Sequence, residues 1–160
     1  CALPISEDNR FCRHAGVDWE AFAREWRRWR AGERPRGAST VTMQLTRNLF
    51  LWPERSRLRK AVELALAPLV DLILTKERQL VIYLNQVEFA PGVYGAEAAA
   101  RHWYDMRAAA LDAGAAARLV ALLPAPLRYR PGDEHVRRQA RRIVTRIDQL
   151  GPLLDCARLD

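Results

Sequence analysis

The spacing of apolar residues constrains the fold of this chain more than any other feature of its sequence. Near the C-terminus, Val136, Ala140, Ile143 and Ile147 recur at intervals of four, three and four residues, which places them on one face of a helix. Similar spacing recurs along the chain, and no run shows the sustained period of two that is typical of a half-buried strand. The sequence therefore predicts an all-α or nearly all-α fold.

Capping and helix-breaking residues indicate where the predicted helices begin and end. Asp18 is a candidate N-cap for a helix that runs to about Ala31, and Gly32 would end it. Pro68 predicts a kink or a break in a helix over 58–74. The other predicted helices cover 41–50, 77–85, 96–104, 111–123 and about 136–150.

The length and the cysteine content indicate one ordinary domain over residues 1–160. Apolar stretches such as 64–70 are far shorter than the roughly 20 residues that span a membrane. The chain begins at Cys1 without an initiator Met, so we expect a fragment whose membrane anchor, if any, lies upstream. Cys1, Cys12 and Cys156 lack zinc-site spacing, and a domain of this size does not need a disulfide.

The charge balance favours an anionic partner. The net charge is +7 with a sequence pI of about 10.0, and every one of the 26 cationic residues except Lys60 and Lys76 is an arginine. Nucleic acid, acidic lipid and a diphosphate substrate would each fit this charge. No recognised nucleic-acid motif accompanies the C-terminal arginine run, so we expect no nucleic-acid partner.

Four aromatic residues of the helix predicted after Asp18 form a single face. Trp19, Phe22, Trp26 and Trp29 recur at intervals of three, four and three residues, with arginines mostly off that face. Such a helix either packs its aromatic side chains into the core or lies on a membrane surface. We expect the inward packing.

The segment 7–16 is the first of three that combine charge with constrained backbone. It carries the adjacent carboxylates Glu7 and Asp8, followed by His14 near aromatic residues. Burial there would raise a carboxyl pKa and produce a general base. By spacing alone, an exposed acidic pair at a helix end is the better interpretation.

The other two segments are candidate anion sites. The loop 36–40, followed by Gln44, offers N–H and hydroxyl donors at a helix start, which is typical of an anion cradle and equally of an ordinary N-cap. Arg59 and Glu63 lie one helical turn apart with Lys60 beside them. Such a group is usually a surface ion pair of little energetic weight.

The order and wording of these segments resemble the five-motif signature of family 51 glycosyltransferases, the peptidoglycan glycosyltransferases. The resemblance covers residues 7 to about 131, and within the family it is greatest for the monofunctional members of Gram-negative bacteria. The matching segments are EDNRFCRHAGVD, RGASTVTMQLTRNLFL, RSRLRKAVE, KERQLVIYLNQVEF and GVYGAEAAARHWY. The resemblance implies a mostly α, lysozyme-like glycosyltransferase domain.

The same resemblance implies a reaction and its residues. Lipid II would be polymerised with inversion and release of undecaprenyl diphosphate, with Glu7 as the base that deprotonates the acceptor 4-hydroxyl. Glu63 would be the second essential glutamate, which orders cations or a divalent metal (magnesium or manganese) near the diphosphate; no cofactor is required by the sequence. The implied substrate-binding residues are Asp8, Ser39, Thr40, Gln44, Arg47, Arg55, Arg59 and Lys60.

The resemblance also implies a location and partners. The protein would act at the periplasmic face of the inner membrane, anchored by an N-terminal helix upstream of this chain. Its partners would be lipid II, the nascent glycan strand, the membrane surface and other proteins of cell-wall synthesis or division. A lysozyme-like lytic enzyme is the alternative, but a hydrolase has no use for a dense cationic cluster beside its second carboxylate.

Several positions depart from the family's usual residues. Met43 replaces the first amide of a glutamine pair, Arg47 replaces a lysine, and Gln79 replaces an isoleucine. Met106 stands where a cation is usual, Ala115 where a glutamate is usual, and Ala125 where the turn usually has an asparagine. None of these removes either implied essential glutamate.

Overall fold

The computed structural model describes residues 2–34, 37–54, 56–150 and 156. Arg55, an implied substrate-binding residue, and Arg36 lie outside the described residues. The helices are α1 (Ala2–Glu7), α2 (Trp19–Arg30), α3 (Val41–Phe50), α4 (Arg57–Ile73), α5 (Lys76–Gln86), α6 (Ala96–Tyr104), α7 (Ala113–Leu122) and α8 (Glu134–Leu150). Two 3₁₀ turns cover Phe11–Arg13 and Ala108–Ala110, and strands β1 (Glu88–Ala90) and β2 (Val93–Tyr94) form an antiparallel hairpin. The predicted mostly helical fold is confirmed.

Short polar side chains begin most of these helices by accepting hydrogen bonds from free backbone N–H groups. Asp18 caps α2, as predicted, and accepts from the N–H of Ala21 at 2.9 Å. Equivalent caps begin four other helices and are provided by Thr40, Ser56, Thr75 and Asp112. Helix α4 continues through Pro68, so a break there is wrong. Buried Ala67 and Val70 on either side keep this stretch packed.

Helix α3 contributes to the main core and packs against two other helices. Phe11, Leu45, Tyr83, Leu122 and Ile143 are all buried in one hydrophobic cluster, so side chains from the first 3₁₀ turn, α3, α5, α7 and α8 share it. Because α3 packs against both α4 and α5, its first turn is surrounded by elements from distant parts of the sequence. Polar residues at this turn therefore have partners that are remote in the chain.

The aromatic face of α2 does not pack inward, and that expectation is wrong. Trp19, Trp26 and Trp29 are 59%, 52% and 57% exposed, and no side chain of α2, whose residues are all described, is buried. Trp26 and Trp29 instead contact each other, with ring centroids 5.0 Å apart. Helical periodicity identifies an apolar face but does not reveal whether the core reaches it.

A disulfide joins Cys12 to Cys156, a pairing that the sequence did not predict. It ties the first 3₁₀ turn to the segment after α8, across a sequence separation of 144 residues. The core of a domain this size does not require such a link, which is why length gave no sign of it. Among the described residues, no helix combines the length and apolar character that crossing a bilayer demands.

Candidate functional site

Glu7 ends α1 and is half-buried, so the interpretation as an exposed acidic pair is wrong. Burial is the main reason that the pKa of Glu7 is raised above its ordinary value of 4.5, and the charge of Asp8 adds to the effect. Two hydrogen bonds act in the opposite direction. Gln44 Nε2 donates to Oε2 at 3.3 Å, and Ser6 Oγ donates to Oε1 at 3.4 Å. A carboxyl with a raised pKa is suited to accept a proton.

Gln44 is fixed by Tyr83 from the side opposite Glu7. The phenol O–H of Tyr83 donates to Gln44 Oε1 at 2.8 Å, which turns the amide nitrogen toward Glu7. Burial, with a smaller effect from the charge of Glu7, raises the pKa of Tyr83. The phenol therefore stays protonated and remains a donor at neutral pH, so Gln44 keeps this orientation.

Asp8 joins the segment after α1 to the first residue of α3. It is only 8% exposed, and its two carboxylate oxygens lie 3.0 and 2.9 Å from His14 Nε2. Its Oδ2 also accepts from the N–H of Val41 at 3.1 Å, where the positive end of the helix dipole stabilises a negative charge. Asp8, an implied substrate-binding residue, is thus fully engaged by protein groups.

The loop before α3 contains one residue that caps the helix and one that accepts a hydrogen bond from a lysine. Thr40 is the N-cap: its Oγ1 accepts from the N–H of Met43 at 3.1 Å and donates to the carbonyl of Gly16 at 2.5 Å. A Cβ added at Gly16, whose φ is +80°, would lie 2.5 Å from the carbonyl oxygen of Ala67. Ser39 Oγ accepts from Lys60 Nζ at 2.9 Å, so the loop and α4 share a polar cluster.

Glu63 is the centre of a buried ionic cluster on α4. Its side chain is 2% exposed, which makes the surface-pair interpretation wrong. Lys60 Nζ lies 2.6 Å from Oε1, and Arg59 Nη1 lies 3.6 Å from Oε2. Arg59 Nε and Nη1 and Glu63 Oε2 are buried without a hydrogen-bond partner among the described residues. The cluster therefore combines positive charge with unused buried donors.

Two clefts meet at the hydrogen bond between Glu7 and Gln44. Glu7 lines a cleft of ≈ 390 Å³ together with Ser39. Gln44 lines a larger cleft of ≈ 850 Å³, to which Arg47 and Arg59 also contribute. The candidate base therefore lines one cleft, and its hydrogen-bond partner lines a second cleft that arginine side chains also line.

A protein-bound divalent cation does not fit the residues present. Glu63, the implied ligand, already has Lys60 and Arg59 within 4.0 Å of its carboxylate, and like charges would oppose a further cation there. Divalent magnesium prefers several oxygen ligands in octahedral geometry. Within the described ranges, no cluster of three or more His, Cys, Asp or Glu side chains is arranged to hold one.

The departures from the family pattern fall in different environments. Met43 is buried against Val17 and Ala67, so this side chain belongs to the packing under the loop. Ala115 is buried near the start of α7, whereas Met106 is 41% exposed. Gln79, which the sequence identified only as a departure from the family's usual isoleucine, is fully buried.

Sequence reasoning missed three residues that contact the site: Asp71, Lys76 and Tyr83. Lys76 Nζ donates to the carbonyl of His14 at 2.8 Å and also forms an ion pair with Asp71. Tyr83 and Lys76 lie in a matching motif, which was the available signal. Nothing in the sequence around Asp71 indicated its role.

Comparison with known proteins identifies relatives of this chain. The family model described as Transglycosylase matches residues 1–150. The biosynthetic peptidoglycan transglycosylase of Brucella suis biovar 1 is 44% identical over 159 residues, which cover 98% of this chain and 71% of that protein. The protein of the same name from Bordetella pertussis is 50% identical over 139 residues, which cover 84% of this chain and 56% of that protein. A third protein of this name, from Aeromonas hydrophila subsp. hydrophila, is 44% identical over 154 residues, which cover 95% of this chain and 66% of that protein.

Proposed function

The chain belongs to the transglycosylase family and is a peptidoglycan glycosyltransferase, and from this premise we propose that it polymerises lipid II. The product would be a β-1,4-linked glycan strand, formed with inversion at the anomeric carbon and release of undecaprenyl diphosphate. The observation that carries the proposal is the position of Glu7. This half-buried carboxylate, with its raised pKa, lines one cleft, and its hydrogen-bond partner Gln44 lines a second cleft together with Arg47 and Arg59.

Glu7 acts as the general base. It accepts the proton of the acceptor 4-hydroxyl while that oxygen forms the new bond to the anomeric carbon of the donor sugar. The bond from the anomeric carbon to the diphosphate breaks, and its electron pair leaves with the diphosphate oxygen. Attack from the face opposite the leaving group produces the inversion. Gln44 keeps the carboxylate in place during this step through its 3.3 Å hydrogen bond.

The cations of α4 stabilise the departing diphosphate. Negative charge develops on the leaving oxygens, and preorganised positive groups in a poorly hydrated site stabilise such charge strongly. Lys60 and Arg59 are oriented by Glu63, and Arg59 lines the larger cleft. Arg47 extends the positive lining of the larger cleft. No step of this mechanism requires a protein-bound metal.

Two features support action at a membrane in an oxidising compartment. The Cys12–Cys156 disulfide suits the bacterial periplasm, where disulfides persist. The exposed tryptophans of α2 alternate with arginines such as Arg27 and Arg30, a composition that favours the membrane–water interface. We therefore place the reaction at the periplasmic face of the inner membrane, where a polyprenyl-linked substrate resides.

Incubation of the chain with labelled lipid II in detergent tests the function. Wild type is expected to form polymers of many disaccharides and to release undecaprenyl diphosphate, whereas Glu7→Gln, which cannot accept the proton, forms none. Cleavage of finished glycan by wild type, without polymerisation, would support the lytic alternative. Polymerisation by Glu7→Gln at the wild-type rate would show that another group is the base.

A further inference from the structure

Gln79 makes hydrogen bonds through both ends of its buried amide. Its Nε2 donates to Asp71 Oδ1 and to the carbonyl of Leu74, both at 2.9 Å. Its Oε1 accepts from Thr42 Oγ1 at 2.7 Å. A buried amide with this set of partners has one orientation, because turning it would place its oxygen against the Asp71 carboxylate and the Leu74 carbonyl, acceptor against acceptor. The family's usual isoleucine would make none of these bonds.

The contacts continue from Gln79 to the segment that carries Glu7. Asp71 also accepts from Lys76 Nζ, and the same ammonium donates to the carbonyl of His14 at 2.8 Å. Lys76 Nζ lies 4.6 Å from the centroid of the Phe11 ring, a cation–π contact with the 3₁₀ turn of that segment. Gln79 is therefore connected to His14 through Asp71 and Lys76.

These hydrogen bonds close into a ring. His14 Nε2 donates to Asp8, and Asp8 accepts from the N–H of Val41, the residue before Thr42. The ring closes through the peptide bond between Val41 and Thr42. We call this set the Gln79 ring; its members are Asp8, His14, Val41, Thr42, Asp71, Lys76 and Gln79. Glu7 directly precedes Asp8, and Gln44 lies two residues after Thr42. The ring therefore links the segment that carries the base to the helix that carries its hydrogen-bond partner.

We propose that Gln79 is a positioning residue for glycosyl transfer, acting through the Gln79 ring to hold Glu7 in register with Gln44. The inference rests on the proposed role of Glu7 as the base. Neither Gln79 nor Asp71 lines the clefts that Glu7 and Gln44 line, so Gln79 acts without touching substrate. Opening the ring at Gln79 removes one of the two routes by which it joins the segment that carries Glu7 to α3, and leaves the Asp8–Val41 hydrogen bond as the other. The position of Glu7 relative to α3 is then less constrained, and a small misplacement of a catalytic group lowers the rate strongly.

Thr46 provides a matched control in the same helix. Its hydroxyl is buried and donates to the carbonyl of Thr42 at 2.8 Å, but it has no link to the segment that carries Glu7. Thr42→Val and Thr46→Val each remove one buried hydroxyl from α3 and keep the side-chain shape. A purely structural role predicts a larger loss of stability in Thr42→Val, which leaves Gln79 Oε1 without this donor, but no larger change in kcat than in Thr46→Val.

The experiment compares Thr42→Val, Gln79→Leu, the Thr42→Val/Gln79→Leu double variant and Thr46→Val in the full chain. Thermal unfolding is measured beside kcat and KM for polymerisation of labelled lipid II. We expect kcat to fall about tenfold to a hundredfold in Thr42→Val and Gln79→Leu, with KM changed less than about twofold. The double variant should have the kcat of Gln79→Leu, because one opened ring cannot be opened again. Thr46→Val should keep kcat within about twofold of wild type.

Three results would overturn the inference. The first is a Gln79→Leu or Thr42→Val chain that unfolds more easily but has the kcat of Thr46→Val. The second is a double variant whose kcat loss equals the product of the two single losses. The third is absence of polymer with wild type, which contradicts the proposed function itself. If Gln79→Leu does not fold, Thr42→Val against Thr46→Val decides the outcome.

Discussion

The two sides of the site differ in how their buried polar groups are satisfied. Around the base, the carboxylates of Glu7 and Asp8 and the amides of Gln44 and Gln79 all have protein partners, and His14 Nδ1 is the one buried side-chain atom of segment 7–16 without a hydrogen bond to a described residue. On α4, by contrast, Arg59 Nε and Nη1 and Glu63 Oε2 are buried with no hydrogen bond to any described residue. Native proteins rarely leave such groups unpaired, since each costs about 1–3 kcal/mol.

This difference matches the two chemical tasks. A base must be aimed at one hydroxyl, so its orientation is fixed by the protein before substrate arrives. A departing diphosphate presents several oxygens, so the cations need unused donors that substrate can satisfy. The comparison predicts that variants on the cationic side lose substrate stabilisation, whereas variants on the base side change geometry and pH dependence.

The largest expected effect comes from removing a cation on α4. Lys60→Met should lower kcat/KM for lipid II polymerisation about 10²–10³-fold, because a preorganised donor to the leaving group is lost. Arg57→Met, at an exposed position of the same helix, is the matched control and should stay within about twofold. Equal losses of kcat/KM in both variants would show that the rate depends on net charge and not on the cluster around Glu63.

Breaking the disulfide should reduce stability on the base side. Cys12→Ser should lower the free energy of unfolding by about 2–4 kcal/mol, because the unfolded chain gains freedom over a loop of 144 residues. Urea denaturation measures this loss, and a reductant should reproduce it in wild type. Cys1→Ser, which replaces the cysteine outside this disulfide, is the control. An unchanged midpoint in Cys12→Ser would refute the stabilising role of the bond.

The hydrogen bond from Gln44 should be visible in the pH dependence of polymerisation. A base is active when ionised, so the rate falls as the pH drops through the Glu7 pKa, which is raised above 4.5. The Gln44 hydrogen bond stabilises the ionised form and lowers that pKa, opposing the effect of burial. Gln44→Leu should therefore move the acid limb of the kcat profile to higher pH. A limb that stays in place or moves to lower pH contradicts the assignment.

The smallest effect on stability is expected at the tryptophans of α2. Because Trp26 and Trp29 are about half exposed, replacing both with serine should change the free energy of unfolding by less than about 1 kcal/mol. The same variant should bind anionic vesicles more weakly than wild type, as measured by co-sedimentation. Unchanged vesicle binding would show that these tryptophans of α2 do not contribute to membrane binding.

Local features of the fold could be predicted from the sequence, whereas its long-range contacts could not. The bounds of α3 follow from an N-cap at Ser39 or Thr40 and the apolar spacing after it, and the structure confirms them with Thr40 as the N-cap. Those of α2 follow from Asp18 in the same way. Whether the tryptophans face the core depends on which other helices cover it, and the Cys12–Cys156 pair depends on where α8 ends. Neither is determined by nearby residues.

The same distinction applies to the site. The motifs were enough to select Glu7, Lys60 and Glu63 as site residues. They did not predict how far each of these side chains is buried. The sequence assigned no role to Gln79, an amide where the family usually has an apolar residue. Its hydrogen bonds depend on Thr42 and Asp71, which only folding brings next to it.

The central claim is that Glu7 is a base kept in a partly buried site at some cost to stability. Its pKa is raised in the folded chain, so ionisation opposes folding at a pH above that pKa. The cost is absent below the ordinary value of 4.5, where the carboxyl is protonated in both folded and unfolded chains. Glu7→Gln removes the charge, and with it the cost, while keeping the shape.

The decisive measurement is the free energy of unfolding of wild type and Glu7→Gln across pH 4 to 8, paired with lipid II polymerisation. We predict that Glu7→Gln loses polymerisation by about 10²-fold or more, yet is more stable than wild type at pH 8. The difference in stability should shrink toward zero as the pH falls below 4.5. A Glu7→Gln chain that polymerises normally, or that is less stable than wild type at pH 8, would contradict the account.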